Sequence, residues 1–199
     1  MLAIIDYGAG NLFSVKNALD YLGIPSEVAQ EPAVMEKADG LILPGVGAFP
    51  DAMRMLTDAG WVEPLRKEAG KKPLLGICLG MQLLFELGME FTQTGGLGLL
   101  PGRVDRIETS FKVPHMGYNE LEFHLDSPLL QGVPEKACVY FVHSYMAVTL
   151  PEYVAAYCDY GVKIPALVQK GHLFGAQFHP EKSGEVGLTI LKNFGGLTK

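Results

Sequence analysis

Apolar and polar positions alternate in two different ways along the first half of the chain. Short runs that are apolar throughout predict buried strands, and apolar residues spaced by three and four predict helices between them. The first helix ends before Gly23, a residue type that commonly follows a helix C-terminus. Apolar strands alternating with helices are typical of a parallel sheet covered on both faces. The predicted strands are 2–5, 26–29, 40–44 and 73–77, and the predicted helices are 12–22, 49–57, 62–69 and a stretch after residue 78 whose apolar face is Met81, Leu84, Phe85 and Leu87.

The pattern changes after about residue 97. Short strand-like segments now follow one another with Gly, Pro and Asp turns between them, which predicts an antiparallel or mixed extension of the sheet. No repeat, low-complexity segment or linker divides the chain. We therefore predict one α/β domain over residues 1–199, with a central, mostly parallel sheet between two layers of helices. The predicted strands of the second half are 103–107, 120–123, 138–142, 153–158, 166–169 and 173–178, followed by a last helix over 187–194.

Composition narrows the range of functions. Hydrophobic residues make up 48% of the chain and charged residues 19%, which is typical of a folded domain and not of a disordered chain. A net charge of −6 without any basic block argues against binding to nucleic acid or to an anionic membrane surface. Three cysteines without a CxxC pair favour neither a disulfide framework nor a zinc site, and the first apolar run is too short for a signal peptide or a membrane span. We expect a cytoplasmic protein without a metal, and its 24 glycines predict many tight turns.

The strongest local motif surrounds Cys78. A predicted strand runs directly into Gly76-Ile77-Cys78-Leu79-Gly80, and a helix is predicted to follow. This is the pattern of a nucleophile elbow, with a thiol in place of the usual hydroxyl. A Cβ at residue 76 or 80 would collide with neighbouring backbone in such a turn, and a helix N-terminus favours the reactive thiolate. Cys78 is therefore the candidate nucleophile, and the Leu79 N–H is a candidate donor to a bound acyl oxygen.

The candidate base is His179, which is followed by Pro180 and Glu181. Proline holds the preceding residue extended, and residues two apart on an extended chain face the same side. Glu181 is then placed to orient the ring of His179. The three residues fit the general arrangement of a nucleophile, a base and a group that orients the base.

The other cysteines and histidines carry weaker signals. Cys138 and Cys158 lie in apolar strands without glycine neighbours, so both are expected to be small buried residues. Two of the remaining histidines are expected at the surface, whereas two lie in apolar and aromatic segments that suit either a wall of the site or the core. The first pair is His124 and His172, and the second pair is His115 and His143.

Two glycine turns follow predicted strands, at Gly8-Ala9-Gly10 and Gly45-Val46-Gly47. Each begins like a dinucleotide-binding fingerprint but lacks its third glycine, so nucleotide binding is not favoured. Such a turn leaves backbone N–H groups bare for an anion or an oxyanion. The alternative is a plain tight turn between a strand and a helix.

These motifs together resemble a known family. Gly76-Ile77-Cys78-Leu79-Gly80-Met81-Gln82 and His179-Pro180-Glu181 are similar to the triad segments of the class I glutamine amidotransferases, although many members have His where Met81 stands. Segments 6–11 (DYGAGN), 114–119 (PHMGYN) and 140–145 (YFVHSY), with Lys182-Ser183, resemble one branch of that family. The branch comprises the glutaminase subunits of imidazole glycerol phosphate synthase, in histidine biosynthesis. Residue 118 is Tyr where that branch often has Trp.

The resemblance implies a flavodoxin-like three-layer fold and a reaction. In that reaction Cys78 attacks the amide carbon of glutamine, His179 protonates the departing ammonia, and water then cleaves the glutamyl thioester. No cofactor is implied. Ammonia would pass to a (β/α)8-barrel cyclase subunit, the heterodimer partner, which makes imidazole glycerol phosphate and aminoimidazole carboxamide ribotide.

The resemblance also implies three further groups of site residues. The oxyanion hole would be formed by backbone N–H groups of Val46, Gly47 and Leu79, after reorientation of a peptide in the glycine turn. The glutamine site would be lined by Gly47, Gln82, His143, Ser144 and Tyr145. The partner interface would include Asn11, Met116, Tyr118 and Lys182, for which an ordinary exposed turn or surface charge is the alternative interpretation.

Three other functions stay open at this point. The glutaminase of another synthase, such as that for anthranilate or pyridoxal phosphate, is disfavoured by Met81 and by segment 114–119. An intracellular cysteine peptidase or deglycase of similar topology would share the elbow but generally lacks a glutamate two residues after its histidine. A noncatalytic subunit would not need the complete triad.

Overall fold

The computed structural model describes residues 1–198 as strands and helices joined by tight turns. The strands are β1 (Leu2–Ile5), β2 (Ser26–Ala29), β3 (Gly40–Gly45), β4 (Leu74–Cys78), β5 (Phe85–Gly88), β6 (Thr94–Gly95), β7 (Leu100–Arg106), β8 (His115–Glu120), β9 (Glu122–Phe123), β10 (Cys138–His143), β11 (Tyr145–Val148), β12 (Val154–Asp159), β13 (Lys163–Lys170) and β14 (Leu173–Ala176). The helices are α1 (Leu12–Tyr21), α2 (Val34–Lys37), α3 (Phe49–Asp58), α4 (Val62–Ala69), α5 (Leu79–Gln82) and α6 (Gly184–Gly196). Short 3-10 turns lie at Pro128–Leu130, Pro151–Tyr153 and Pro180–Lys182.

An eight-stranded sheet forms the centre of the fold. Its strand order is β2-β1-β3-β4-β14-β13-β12-β9. The strands from β2 to β14 are parallel, and β13, β12 and β9 add to them in antiparallel fashion at one edge. The parallel part has the doubly wound order in which ligands bind beyond the carboxyl ends of the strands. The end of β4, at Cys78, is therefore a favoured position for a site.

Alternate side chains of each central strand enter two different cores. Ala3 and Ile5 of β1 pack on the side of α3 and α4, whereas Leu2 and Ile4 pack on the side of α1 and α6. Both faces of the strand are buried, which explains why the run is apolar throughout. The predicted α/β fold with three layers is confirmed.

Several strands of the second half form two smaller sheets, where the sequence predicted a single extension. β8 pairs antiparallel with β10, and a mixed sheet has the order β11-β7-β5-β6. The strand predicted over 120–123 is divided between the end of β8 at Glu120 and β9 at Glu122–Phe123, and most of β8 was not predicted. Gly117 has a φ of 128°, a conformation more typical of a glycine turn than of a strand. The segment nevertheless pairs with β10 over its whole length.

The predicted helix after residue 78 is wrong beyond its first turn. Helix α5 ends at Gln82, and Phe85 begins strand β5. Leu83 and Leu84, which connect them, are fully buried, as is Phe85. A run that is enclosed on every side does not line one helical face, and periodicity cannot then distinguish a helix from a strand.

Candidate active site

The predicted elbow is present at the end of β4. Cys78 adopts a left-handed backbone conformation, with φ 54° and ψ −113°, that residues other than glycine rarely occupy. A Cβ placed on Gly76 would lie 2.6 Å from the Gly80 carbonyl oxygen, and one placed on Gly80 would lie 1.8 Å from the Leu43 carbonyl oxygen. Both contacts are with backbone, so the prediction that the flanking glycines are required is confirmed.

His179 and Glu181 form a buried pair beside this elbow. His179 is extended, with φ −101° and ψ 97°, as the following proline predicts. Its Nδ1 lies 2.8 Å from Glu181 Oε1, and both side chains are at most 3% exposed. The predicted contact is present, but the 3-10 turn Pro180–Lys182 brings the carboxylate there, and not the extended chain that the sequence indicated. Because a carboxylate only accepts, Nδ1 carries the proton.

The charge around His179 favours an imidazolium. Burial alone lowers the pKa of His179, but the Cys78 thiolate and the Glu181 carboxylate outweigh burial and raise it to about 9. Its Nε2 has no hydrogen-bond partner among residues 1–198 and lines the same cavity as Cys78. The pair is therefore arranged as a nucleophile and an acid–base group around a shared open space.

A cavity of about 310 Å³ opens over Cys78, a size suited to a small molecule. Gly45 pairs with Cys78 across β3 and β4, which places the following turn beside the nucleophile. In that turn Gly47 has a φ of 103° and borders open space. The cavity is lined by every residue that the resemblance assigned to the oxyanion hole and the glutamine site: Val46, Gly47, Leu79, Gln82, His143, Ser144 and Tyr145.

Glu90 is a cavity residue that the sequence analysis missed. It follows β5, and its Oε2 accepts a hydrogen bond from the Phe49 N–H at 2.7 Å. Of the residues that line the cavity within 1–198, Glu90 is the one that carries a carboxylate. It sits in an irregular loop with no motif around it, so only the tertiary fold reveals its position.

The four residues assigned to a partner interface lie around one turn. Met116 and Tyr118 of β8 are 61% and 64% exposed, and the Tyr118 hydroxyl donates to the Lys182 carbonyl at 2.9 Å. Helix α1 packs beside the same turn. Asn11 also has a local role, since its side chain accepts from the Ser14 N–H at the start of α1. The structure thus places Tyr118 against Lys182, Met116 on the same strand as Tyr118, and Asn11 at the start of the neighbouring helix.

The remaining cysteines and histidines divide as follows. Cys158 is buried as predicted, but Cys138 is exposed, because it begins β10 at the edge of a two-stranded sheet. His124 and His172 are exposed as predicted. His115 and His143 are predicted either in a wall of the site or in the core, and each position occurs once. His143 lines the cavity, and His115 is buried behind it.

These two buried histidines predict an acid-sensitive fold. Burial lowers the pKa of His115 to about 4 and that of His143 to about 3. Both titrate near ~6.5 in an unfolded chain, so below that pH the unfolded state binds protons that the folded state does not. From the pair, the free energy of unfolding should fall as the pH drops from ~6.5 toward ~4, by up to about 2.7 kcal/mol per pH unit. The raised pKa of His179 acts on the other side, so stability should also fall as the pH rises from ~6.5 toward about 9.

Urea unfolding between about pH 7 and pH 5 measures this slope. His115→Phe should reduce it by about half, because one of the two protons is removed. The matched change His124→Phe, at an exposed ring, should leave the slope unaltered. Identical slopes for the unsubstituted chain and His115→Phe would show that His115 does not remain neutral in the fold.

Outside this cavity, the features that bear on function are a second cleft, the length of the helices and the grouping of metal-ligating side chains. A larger cleft of about 570 Å³ is lined by residues between Phe123 and Glu135, and it includes none of Cys78, His179 and Glu181. Across residues 1–198, no helix combines the length and hydrophobicity needed to cross a membrane. Within that range, His, Cys, Asp and Glu side chains form no group of three or more that could hold a metal ion.

Comparison with known proteins agrees with this geometry. The model of the family "Glutamine amidotransferase class-I" matches residues 3–195. "Imidazole glycerol phosphate synthase subunit HisH" of Shouchella clausii is 54% identical over 207 residues, covering 100% of this chain and 99% of that protein. The protein of the same name from Desulfitobacterium hafniense (strain DSM 10664 / DCB-2) is 54% identical over 197 residues, covering 98% of this chain and 93% of that protein.

Solved structures extend the similarity in fold. The chain matches the "Structure of PurLQS from Thermotoga maritima" with a TM-score of 0.80 at 20% identity, covering 100% of this chain and 98% of that chain. It matches a "Crystal structure of glutamine amidotransferase" with a TM-score of 0.76 at 24% identity, covering 97% and 98%. At these identities the likeness concerns the fold alone.

Proposed function

The chain belongs to the class I glutamine amidotransferase family, and on that premise we propose that it is the glutamine-hydrolysing subunit of an imidazole glycerol phosphate synthase, acting in histidine biosynthesis. The observation that carries the proposal is that Cys78 and His179 line one small cavity at the carboxyl end of the parallel sheet, with Glu181 hydrogen-bonded to the far nitrogen of His179. Full-length relatives of that name at about half identity or more support the choice of synthase. The His179–Glu181 contact is the feature that the peptidase and deglycase alternatives generally lack.

The reaction begins with attack of the Cys78 thiolate on the side-chain amide carbon of glutamine. The developing oxyanion is held by backbone N–H groups of Leu79 and of the Val46–Gly47 turn. As the C–N bond breaks, the proton on His179 Nε2 passes to the departing nitrogen, which leaves as ammonia. Glu181 keeps the opposite nitrogen, Nδ1, protonated and so holds Nε2 toward the cavity.

The second half of the reaction regenerates the enzyme. His179 Nε2, now unprotonated, accepts a proton from water as the water oxygen attacks the glutamyl thioester carbon. The C–S bond breaks, the Cys78 thiolate is restored beside an imidazolium, and glutamate leaves. The high pKa of His179 favours this return to the charged pair.

We assign Glu90 to the α-ammonium group of glutamine, because it is the carboxylate that lines the cavity within residues 1–198. Glu90→Gln should raise the KM for glutamine by about 10- to 100-fold with little change in kcat, since a charge-assisted hydrogen bond is lost from the substrate. The side-chain oxygen of the substituted residue 90 can still accept from the Phe49 N–H, so the local fold is preserved.

Glu86→Gln is the matched control. Glu86 Oε2 accepts from the Gly102 N–H at 3.0 Å, which is the same kind of contact outside the cavity. Steady-state glutamate release by the two variants separates the effects. If the KM for glutamine of Glu90→Gln equals that of Glu86→Gln, the assignment of Glu90 to substrate binding is wrong.

The ammonia is consumed by a partner subunit in a synthase complex. We propose that the partner is a (β/α)8-barrel cyclase, which makes imidazole glycerol phosphate and aminoimidazole carboxamide ribotide. Its docking face would comprise Asn11, Met116, Tyr118 and Lys182. The exposure of Met116 and Tyr118 supports this assignment, because large apolar side chains rimmed by polar residues mark interaction sites.

The proposal is tested by glutamate release from glutamine, with and without the cyclase partner and its phosphorylated nucleotide substrate. We expect low turnover by the chain alone and strong stimulation in the complex. Equal and substantial turnover without a partner would contradict the assignment to a regulated subunit. No turnover in either state would contradict the glutaminase assignment itself.

A further inference from the structure

A line of hydrogen bonds runs beside the cavity, from strand β8 through strand β10 to the start of strand β11. The Asn119 side chain approaches His115 Nε2 at 3.5 Å, and His115 Nδ1 lies 3.0 Å from His143 Nε2. His143 Nδ1 in turn lies 2.8 Å from the Tyr145 carbonyl oxygen. Both rings are buried, and His115 stacks on Phe141 at a centroid distance of 4.7 Å.

The two ends of this line fix the direction of every bond. A carbonyl only accepts, so His143 Nδ1 is the donor to Tyr145, and in a neutral ring its Nε2 must then accept from His115 Nδ1. His115 Nε2 consequently accepts from Asn119 Nδ2. The Asn119 amide cannot turn over, because its Oδ1 accepts from the Glu120 N–H at 2.8 Å and its Nδ2 also donates to the Asp159 carbonyl at 2.9 Å.

The Tyr145 carbonyl joins this line to the nucleophile. It also accepts from Gln82 Nε2 at 2.9 Å, and the other Nε2 proton of Gln82 is donated to Gln177 Oε1 at 2.9 Å. The Gln177 oxygen is thereby occupied, which leaves Gln177 Nε2 to face the Cys78 sulfur at 3.9 Å. Gln177 is fully buried and does not line the cavity.

The orientation of the Gln177 side chain matters because its amide can present either the nitrogen or the oxygen to Cys78. Gln177 Nε2 stabilises a negative sulfur, whereas a flipped amide would direct oxygen lone pairs at the thiolate and destabilise it. The flip is prevented by Gln82, whose own amide is held by the Tyr145 carbonyl. Within residues 1–198, four titratable side chains line the cavity with Cys78, namely Glu90, His143, Tyr145 and His179. The buried Tyr7 hydroxyl also lies near the thiol, and burial raises the pKa of Tyr7, which keeps that hydroxyl neutral.

We propose that Gln177 donates to the Cys78 thiolate, with its amide oriented by Gln82, and that His115 is a positioning residue that holds the Tyr145 carbonyl, the acceptor for Gln82, in place through His143. The proposal deepens the proposed function and rests on it, because it concerns the thiolate that attacks glutamine. Gln177 contacts the reacting sulfur directly, whereas His115 contacts neither Cys78 nor the cavity and acts through His143.

The first test follows the pH dependence of Cys78 alkylation by iodoacetamide in the full chain, with Cys138→Ser to silence the exposed thiol. Gln177→Leu and His115→Phe should each raise the pH of half-maximal alkylation by about 1 unit. His115→Asn, whose amide nitrogen replaces Nδ1 as the donor, should restore the original value. His124→Phe is the matched control and should show no shift.

An unmoved midpoint in both Gln177→Leu and His115→Phe would overturn the proposal and leave these residues a structural role. If His115→Phe does not fold, Gln177→Leu decides the matter together with a second test on the unsubstituted chain. There, ¹⁵N NMR should show His115 and His143 neutral and protonated on Nδ1 at neutral pH. A proton on Nε2 of either ring would break the line of donors.

Both tests are independent of glutamine turnover. A shifted midpoint in a chain that does not hydrolyse glutamine would support the positioning role while contradicting the proposed function. An unshifted midpoint in a chain that does hydrolyse glutamine would contradict the role proposed for Gln177 and His115 while supporting the proposed function.

Discussion

Replacing Cys78 by alanine is expected to lower glutamine-dependent synthesis by the complex by about 10⁴-fold or more, since no other group can form the thioester. Ammonia-dependent synthesis should survive, because ammonia supplied from solution bypasses the glutaminase site. The thiol is small and 7% exposed, so its loss leaves the elbow and the cavity in place. Product formation with glutamine and with ammonium salt, in the same preparation of the complex, measures both activities.

Cys138→Ala provides the control for this experiment. It makes the same chemical change at an exposed cysteine of β10, away from the cavity, and should alter neither activity. Loss of both activities in Cys78→Ala would indicate that Cys78 holds the complex together structurally. Retention of both would remove Cys78 from the reaction.

Gly80→Ala is expected to destabilise the fold by at least about 3 kcal/mol, because the added methyl group would lie 1.8 Å from the Leu43 carbonyl oxygen. The contact is with the backbone of β3, which cannot move without breaking its pairing with β4. Alanine is the better helix former by roughly 1 kcal/mol, and the collision outweighs that gain. Chemical denaturation of the unsubstituted and substituted chains gives the difference.

Gly70→Ala is the matched change at a glycine that follows α4 and has open space around it. Its stability should stay within about 0.5 kcal/mol of the original. If Gly80→Ala is as stable as Gly70→Ala, the close approach of β3 to the elbow is wrong.

The central elements were predictable because each carries a local signal. The central parallel strands are buried on both faces and therefore read as short, uninterrupted apolar runs, of which Leu2–Ile5 matches to the residue. The edge strand Ser26–Ala29 also matches to the residue, although it is only partly buried and contains two polar residues. The same reasoning failed for the segment from Leu83 to Gly88. Leu83, Leu84 and Phe85 are consecutive and fully buried, so the apolar positions there follow neither a helical nor a strand period.

The candidate site divides in the same way. Cys78 and the pair His179–Glu181 lie about half the chain apart, yet each is marked by its own neighbours, the flanking glycines and the following proline. Glu90 and Gln177 have no such markers. Their positions depend on how β5 and β14 pack against the elbow, which is a property of the assembled fold.

The prediction of one domain over residues 1–199 stays a prediction, although the family model covers residues 3–195. Lys199 lies outside the described residues. The cavity accounts for the glutaminase site, and the synthase reaction requires a second subunit. The exposed residues around Lys182 are where we propose that it docks.

The most direct test of the account is to trap the covalent intermediate. The complex is mixed with glutamine during turnover, quenched in acid and digested, and the peptides are analysed by mass spectrometry. We predict a mass increase of one glutamyl group on the peptide that contains Cys78, with none on those containing Cys138 or Cys158. A complex that releases glutamate while its Cys78 peptide stays unmodified under conditions that preserve thioesters would contradict the proposed mechanism.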